Sequence, residues 1–118
     1  MWPFKRRRHD PIQNIDNLDI VGKRKDGGVD LVIVASSKLD GSPEHQRLLL
    51  AKIESYLAQL NTPGFQAEFN HPRPEQVNII LSCNEAPDPI VLQLVEKSKP
   101  WVEENNARLT FRPAAVEC

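Results

Sequence analysis

The amphipathic helix predicted between Ser42 and Asn61 constrains the fold more than any other segment. Ser42 is a favourable N-cap residue, Pro43 suits the first helical position, and residues 61–64 contain the Pro and Gly typical of a helix end. One face carries apolar side chains at three- and four-residue steps: Leu49, Ile53, Tyr56, Leu57 and Leu60. Such an apolar stripe is stable only when it is buried against another element, so the flanking segments must supply a sheet that packs on it.

The flanking segments read as four strands. Residues 17–25 and 29–37 alternate or are apolar throughout, and Asp26-Gly27-Gly28 between them indicates a hairpin. Residues 76–84 place Val77, Ile79, Leu81 and Cys83 on one face, and residues 107–113 form a last strand. Phe65 and Phe69, four residues apart in the connection that follows the long helix, predict one helical turn lying on the core.

A second helix is predicted from Asp88 to about Asn105. Pro100 lies inside it, on the side away from the apolar stripe, and removes a backbone hydrogen bond to Glu96. The stripe keeps its phase across Pro100, which favours one kinked helix over two separate helices. The element order is then ββαβαβ, and right-handed crossovers predict an α+β two-layer sandwich with both helices on one face of a four-stranded mixed sheet.

Length and composition predict one small domain. The 118 residues are enough for a core without metal or disulfides, and the 40% hydrophobic and 26% charged shares are typical of globular proteins. We assign residues 1–14 to a basic and aromatic tail expected to be disordered, 15–113 to the domain and 114–118 to a C-terminal tail.

Neither a membrane-spanning stretch nor a signal segment is evident. Cys83 and Cys118 match no metal or redox motif, which predicts reduced thiols in the cytoplasm and no metal or cofactor.

The sheet face without helices is the first candidate site. With the alternation assigned above, that face carries Asp19, Val21, Lys23, Asp30, Val32, Val34, Asn78, Ile80, Ser82, Arg108, Thr110 and Arg112. An apolar centre within a polar rim is typical of a protein interface, which predicts binding of a protein partner or self-association. The alternatives are a solvated face whose β-branched residues merely suit strands, or cover by the chain's own Trp2, Phe4 or residues 65–69. The expected interface residues are Val21, Val32, Val34, Ile80, Arg108 and Arg112.

The basic start of the chain gives a second hypothesis. Trp2 and Phe4 precede Lys5, Arg6, Arg7 and Arg8, a combination that suits weak attachment to an anionic membrane surface. The alternative is a solubilising tail, which is common at chain ends. The remaining sequence holds 11 basic and 16 acidic residues, and its strands do not interleave aromatic with basic side chains, so nucleic-acid binding is not predicted.

The third hypothesis is a ligand-binding or catalytic site that includes His45, Tyr56 and His71 beside the loop at residues 63–75. The residue spacings do not match a zinc motif, a nucleophile elbow or a phosphate-binding loop. His45 and His71 are more simply explained as boundary and surface residues, so we expect a protein that is not an enzyme.

With these elements placed, residues 18–112 resemble a family of small bacterial proteins without an assigned function. The likeness rests on an L-D-I strand at residues 18–20, an E-H-x-x-L-L-x-x-K-I-x-x-Y-L helix at residues 44–57 and an N-I-I-L strand at residues 78–81. The resemblance implies a cytoplasmic protein of bacterial origin.

Overall fold

The computed structural model describes residue 12 and residues 18–112. Within them four strands form one sheet in the order β1-β2-β3-β4: β1 is Ile20–Lys23, β2 is Val29–Ala35, β3 is Val77–Cys83 and β4 is Arg108–Arg112. β1 runs antiparallel to β2, whereas β2, β3 and β4 are mutually parallel. The predicted mixed four-stranded α+β sheet is confirmed.

Three helices connect the parallel strands. α1 is Pro43–Leu60, α2 is Pro63–Glu68 and α3 is Pro89–Glu104, and a single 3-10 turn, Pro74–Gln76, precedes β3. The Ser42 hydroxyl accepts the amide hydrogen of His45, which satisfies a backbone donor that α1 cannot satisfy internally. The predicted turn at Phe65 and Phe69 is α2 and its C-cap, and the two rings lie 4.5 Å apart.

The second long helix is continuous. α3 runs through Pro100 without interruption, and Pro100 is exposed, as the phase of the apolar stripe predicted. Two separate helices are therefore excluded. Asn105 caps the C-terminus of α3, and its side-chain amide donates to the carbonyl of Trp101.

One hydrophobic core lies between the helices and one face of the sheet. All five predicted stripe residues of α1 are buried. They share the core cluster with α3 residues and with alternate residues of the two central strands: Val29, Leu31, Ile33, Ala35, Val77, Ile79, Leu81 and Cys83. The intervening strand residues belong to the opposite face, so both long helices cover the same side of the sheet.

Ile12 also belongs to this core, with 1% of its surface exposed. It is the one residue of the predicted N-terminal tail that the structure describes, and it packs with the helices and the sheet.

The predicted face assignment of β1 is wrong by one residue. Val21 pairs with Leu31 and Lys23 with Val29, and both partners are core residues, so Val21 and Lys23 lie on the helix-covered face. Ile20 pairs with Val32 and takes the place predicted for Val21. Asp19 also lies on the helix side, where its carboxylate reaches Lys52 of α1.

The hairpin turn explains this shift. The amide of Gly27 donates to the carbonyl of Arg24, the amide of Arg24 donates to the carbonyl of Gly28, and Gly27 has φ of 93°. This is a type I turn followed by a glycine bulge, and its three loop residues are Lys25, Asp26 and Gly27. The predicted faces grouped odd-numbered residues of β1 with even-numbered residues of β2, which requires an even number of loop residues. Because side chains alternate with a period of two, the observed odd number places every β1 side chain on the other face.

Candidate functional site: the open sheet face

The sheet face that the helices leave uncovered is the candidate site, and we call it the open face. The strand register places on it Ile20, Gly22, Asp30, Val32, Val34, Asn78, Ile80, Ser82, Arg108, Thr110 and Arg112. Of the six predicted interface residues, the structure brings five together and excludes Val21.

The centre of the open face is apolar and only partly accessible. Val32 is 7% exposed, Val34 and Ile80 are half-buried, and Ile20 on the edge strand is 52% exposed. Val32 lies between Ile20 and Ile80 in the register, and these bulky neighbours limit its exposure. The accessible apolar surface is therefore contributed mainly by Ile20, Val34 and Ile80.

The charge on the open face differs from the predicted mixture. Asp19, expected there, lies on the other side of the sheet. Asp30 is on the open face, but its Oδ1 accepts a hydrogen bond of 2.6 Å from Arg24 and a longer one from the Asn78 amide. Asp30 is thus neutralised by a neighbour at the hairpin end.

Arg108 and Arg112 supply the remaining charge on this face. Both are exposed, and neither has a carboxylate oxygen within 4 Å among residues 18–112. Glu75 and Glu103 line a shallow depression beside Arg108 without forming an ion pair with it. The open face therefore combines an apolar centre with a positive rim along β4.

A buried polar cluster on the helix-covered side of the sheet was not predicted. Lys52 is 0% exposed, and its Nζ lies 3.0 Å from Asp19 Oδ1 and 5.5 Å from the centre of the Tyr56 ring. The second oxygen of Asp19 accepts the amide hydrogen of Val34. Lys52 stands three residues after Leu49, within the apolar stripe, and that position was the signal that it points inward.

Tyr56 completes the cluster through its hydroxyl. The hydroxyl donates to the carbonyl of Val32 at 2.8 Å and accepts the amide hydrogen of Asp19 at 2.9 Å. Burial raises the pKa of Tyr56, so the phenol stays protonated. The cluster fixes the start of β1 against β2 and α1, and its burial leaves a substrate no access to the hydroxyl.

The structure does not bring His45, Tyr56 and His71 together. His45 is in the first turn of α1, with Nδ1 2.9 Å from Asp40 Oδ1, whereas His71 follows the opposite end of that helix. Asp40 also accepts the amide hydrogen of Ser42, and this bond lowers the pKa of Asp40. The His45–Asp40 contact thus belongs to the turn that begins α1.

Other catalytic chemistry is also poorly supported in the region that the structure describes. Cys83 is 2% exposed, and burial raises the pKa of its thiol to about 11, which disfavours the nucleophilic thiolate. Within residue 12 and residues 18–112, three or more His, Cys, Asp or Glu side chains do not gather at any point where they could hold a metal ion.

The proposed membrane-binding residues Trp2, Phe4, Lys5, Arg6, Arg7 and Arg8 lie outside the described residues. Among the helices that are described, none has the length and apolar character needed to cross a bilayer.

Comparison with known sequence families identifies a match. The sequence model of a family of unknown function, DUF6572, matches residues 11–115. Neither a curated protein nor a solved structure matches the chain.

Proposed function

The chain belongs to the family of unknown function DUF6572, and from this premise we propose that it is a non-enzymatic protein-interaction module whose open face binds an acidic protein surface. The observation that carries the proposal is the charge of this face. Arg108 and Arg112 flank an apolar centre, and Asp30 is already paired with Arg24.

An acidic partner fits this arrangement on two counts. Its carboxylates would pair with the β4 arginines, which also suit bidentate contacts. Its apolar side chains would cover Ile20, Val34 and Ile80 and remove their exposed surface from water. Charge complementarity would then orient the partner, while the apolar centre would supply most of the affinity.

Self-association through the same face is less favourable. A two-fold dimer buries the same patch of both subunits, so two positively charged rims would share one interface. Like charges at an interface oppose binding unless counter-charges lie between them. On the described part of the open face the one carboxylate, Asp30, is already engaged.

Nucleic acid is also a poorer fit than protein. Single-stranded nucleic acid is bound by aromatic side chains on which bases stack, and the open-face positions of β1 to β4 contain no aromatic residue. The proposed setting is the cytoplasm, which agrees with the buried, protonated thiol of Cys83.

Affinity capture from cells of the source organism, followed by binding measurements with the purified partner, tests the proposal. We expect the wild-type chain to retain a protein with an acidic surface, with an affinity that falls as salt concentration rises. The double variant Arg108→Glu/Arg112→Glu should lose that partner, because both replaced side chains are exposed on the open face.

Lys97→Glu is the matched control, since Lys97 is an exposed cation on α3. It should bind the partner as the wild type does. Thr110→Glu, also exposed on the open face, should weaken binding without disturbing the fold, whereas Val34→Glu alters a half-buried site. Equal capture by all variants would refute the proposal. So would a dimer in light scattering that Thr110→Glu dissociates, or retention of nucleic acid in place of protein.

A further inference from the structure

A cavity of about 270 Å³ lies between the β1–β2 hairpin and the loop that follows α2. Phe69, Asn70 and Pro72 line it from the loop, and the hairpin and the start of β3 contribute Lys23, Arg24, Gly27, Gly28, Val29 and Gln76. The cavity is separate from the open face, because Val29 and Lys23 belong to the helix-covered side of the sheet.

Hydrogen bonds hold both walls of this cavity in place. The guanidinium of Arg24 contacts Asp26, Asp30 and the carbonyl of Gln76. The Gln76 amide accepts from the backbone of Arg73 and donates to the carbonyl of Asp26, which joins the hairpin to the start of β3. A cavity with such fixed walls is present before any ligand binds.

The loop wall has an unusual backbone. Asn70 and His71 both have positive φ, 62° and 51°, a conformation that residues other than glycine adopt rarely. Their amides donate to the carbonyls of Ala67 and Gln66, respectively. This double turn lies beside the cavity, and Asn70 is one of its lining residues.

Two polar groups on the cavity remain available. Lys23 is exposed, its Nζ lies 5.5 Å from the centre of the Phe69 ring, and it has no carboxylate within 4 Å among the described residues. The side-chain amide of Asn70 makes no hydrogen bond to another described residue. The nearby acids Asp26 and Glu75 form ion pairs with Arg24 and Arg73, respectively. A third acid, Glu68, is the residue before Phe69 in the sequence.

From these groups we infer a binding site for a small organic carboxylate with a flat apolar body. One ammonium and one amide suit a single carboxylate, because Arg24 is already committed to two aspartates. The half-buried side chains of Phe69 and Pro72 suit an apolar body, and the volume, just below the usual range of about 300–1,000 Å³ for ligand pockets, limits that body to about one ring. A dianion such as inorganic phosphate lacks a second free cation here.

Titration of the full-length, ¹⁵N-labelled chain with benzoate tests the site by nuclear magnetic resonance. We expect saturable shifts of the backbone amides of Lys23, Gly27 and Asn70. Benzamide, which has the same shape without the charge, and inorganic phosphate should both bind more weakly. Lys23→Gln should reduce benzoate affinity roughly tenfold or more, the usual effect of losing a charged hydrogen-bond partner.

Lys25→Gln is the control, because Lys25 lies in the same turn but does not line the cavity. It should leave benzoate affinity unchanged. Asn70→Gly relieves the positive φ, so it should keep or raise the unfolding temperature while weakening benzoate binding. The site is refuted if benzoate gives no saturable shifts, if Lys23→Gln binds as the wild type does, or if Lys25→Gln loses as much affinity. Arg108→Glu/Arg112→Glu should retain benzoate, which separates this result from the fate of the open face.

Discussion

At the scale of single residues, the most informative group is the ammonium of Lys52. It lies inside the apolar stripe of α1 with 0% of its side chain exposed, and Asp19 is its carboxylate partner. A buried ion pair is weak evidence for stability, because removing two charges from water costs about as much as their attraction returns. The clearer effect of this ion pair is on the position of β1. Asp19 also accepts the amide hydrogen of Val34, so the pair fixes where β1 begins.

We therefore predict unequal effects for the two partners. Asp19→Ala should lower the free energy of unfolding by about 2–4 kcal/mol, since it removes a carboxylate that is paired with a buried ammonium. Lys52→Met keeps the volume without the charge and should cost about 1 kcal/mol or less. Urea denaturation of both single variants and of the double variant gives the coupling energy. Equal costs for the two single variants would contradict this account.

At the scale of elements, the β1–β2 hairpin determines which side chains reach the open face. Its three-residue loop carries the glycine bulge at Gly27 and brings Gly28 against the Arg24 guanidinium and the backbone of Gln76, which precedes β3. A Cβ atom added at Gly28 would overlap the Arg24 guanidinium and lie 2.8 Å from the carbonyl oxygen of Gln76, closer than packing permits. Gly28 is therefore required by these close contacts, whereas Gly27 is required by its φ.

Replacing glycines of this hairpin by alanine tests the contact. Gly28→Ala should destabilise the fold by about 1–3 kcal/mol, the usual cost of overpacking. Gly22→Ala is the control, because a Cβ there would meet nothing within 4 Å, and it should be neutral or slightly stabilising. Thermal melts of the two variants decide. A neutral Gly28→Ala would mean that the hairpin does not pack on Gln76 as described.

The elements were largely predictable, and the face of β1 was not. Helix starts were recognisable because Ser42-Pro43 and Asp88-Pro89 combine a cap with a first-turn proline. The side of the sheet reached by Val21 depends on whether the number of loop residues is even or odd, and a turn containing Asp26-Gly27-Gly28 is compatible with both. The pairing of Asp30 with Arg24 follows from the same loop. The net charge of the open face could therefore not be predicted from the sequence alone.

At the scale of the whole molecule, a single core joins both long helices to the sheet. Leu57 of α1 is 5% exposed within that core, while Leu94 of α3 is only partly buried against it. Both leucines fit the apolar periodicity of their helices. The structure separates them, because Leu57 is inside the core and Leu94 lies at its margin.

A single core predicts one cooperative unfolding transition. Leu57→Ala should lower the free energy of unfolding by about 2–5 kcal/mol, and Leu94→Ala by about half of that, because less of its surface leaves water. Far-ultraviolet circular dichroism and Trp101 fluorescence in a Trp2→Phe background should give coincident urea transitions. Two resolved transitions, or a neutral Leu57→Ala, would show that the described core is not the unit that unfolds.

The strand order has a consequence for biosynthesis. Since β1, β2, β3 and β4 are neighbours in the sheet in the same order as in the chain, each new strand can join an edge that the ribosome has already released. None of these four strands must wait for a later one to be inserted between two earlier ones. Until β4 emerges, however, the nascent chain presents the apolar β3 as an unprotected edge, and this interval is the stage of synthesis at which aggregation is most readily initiated.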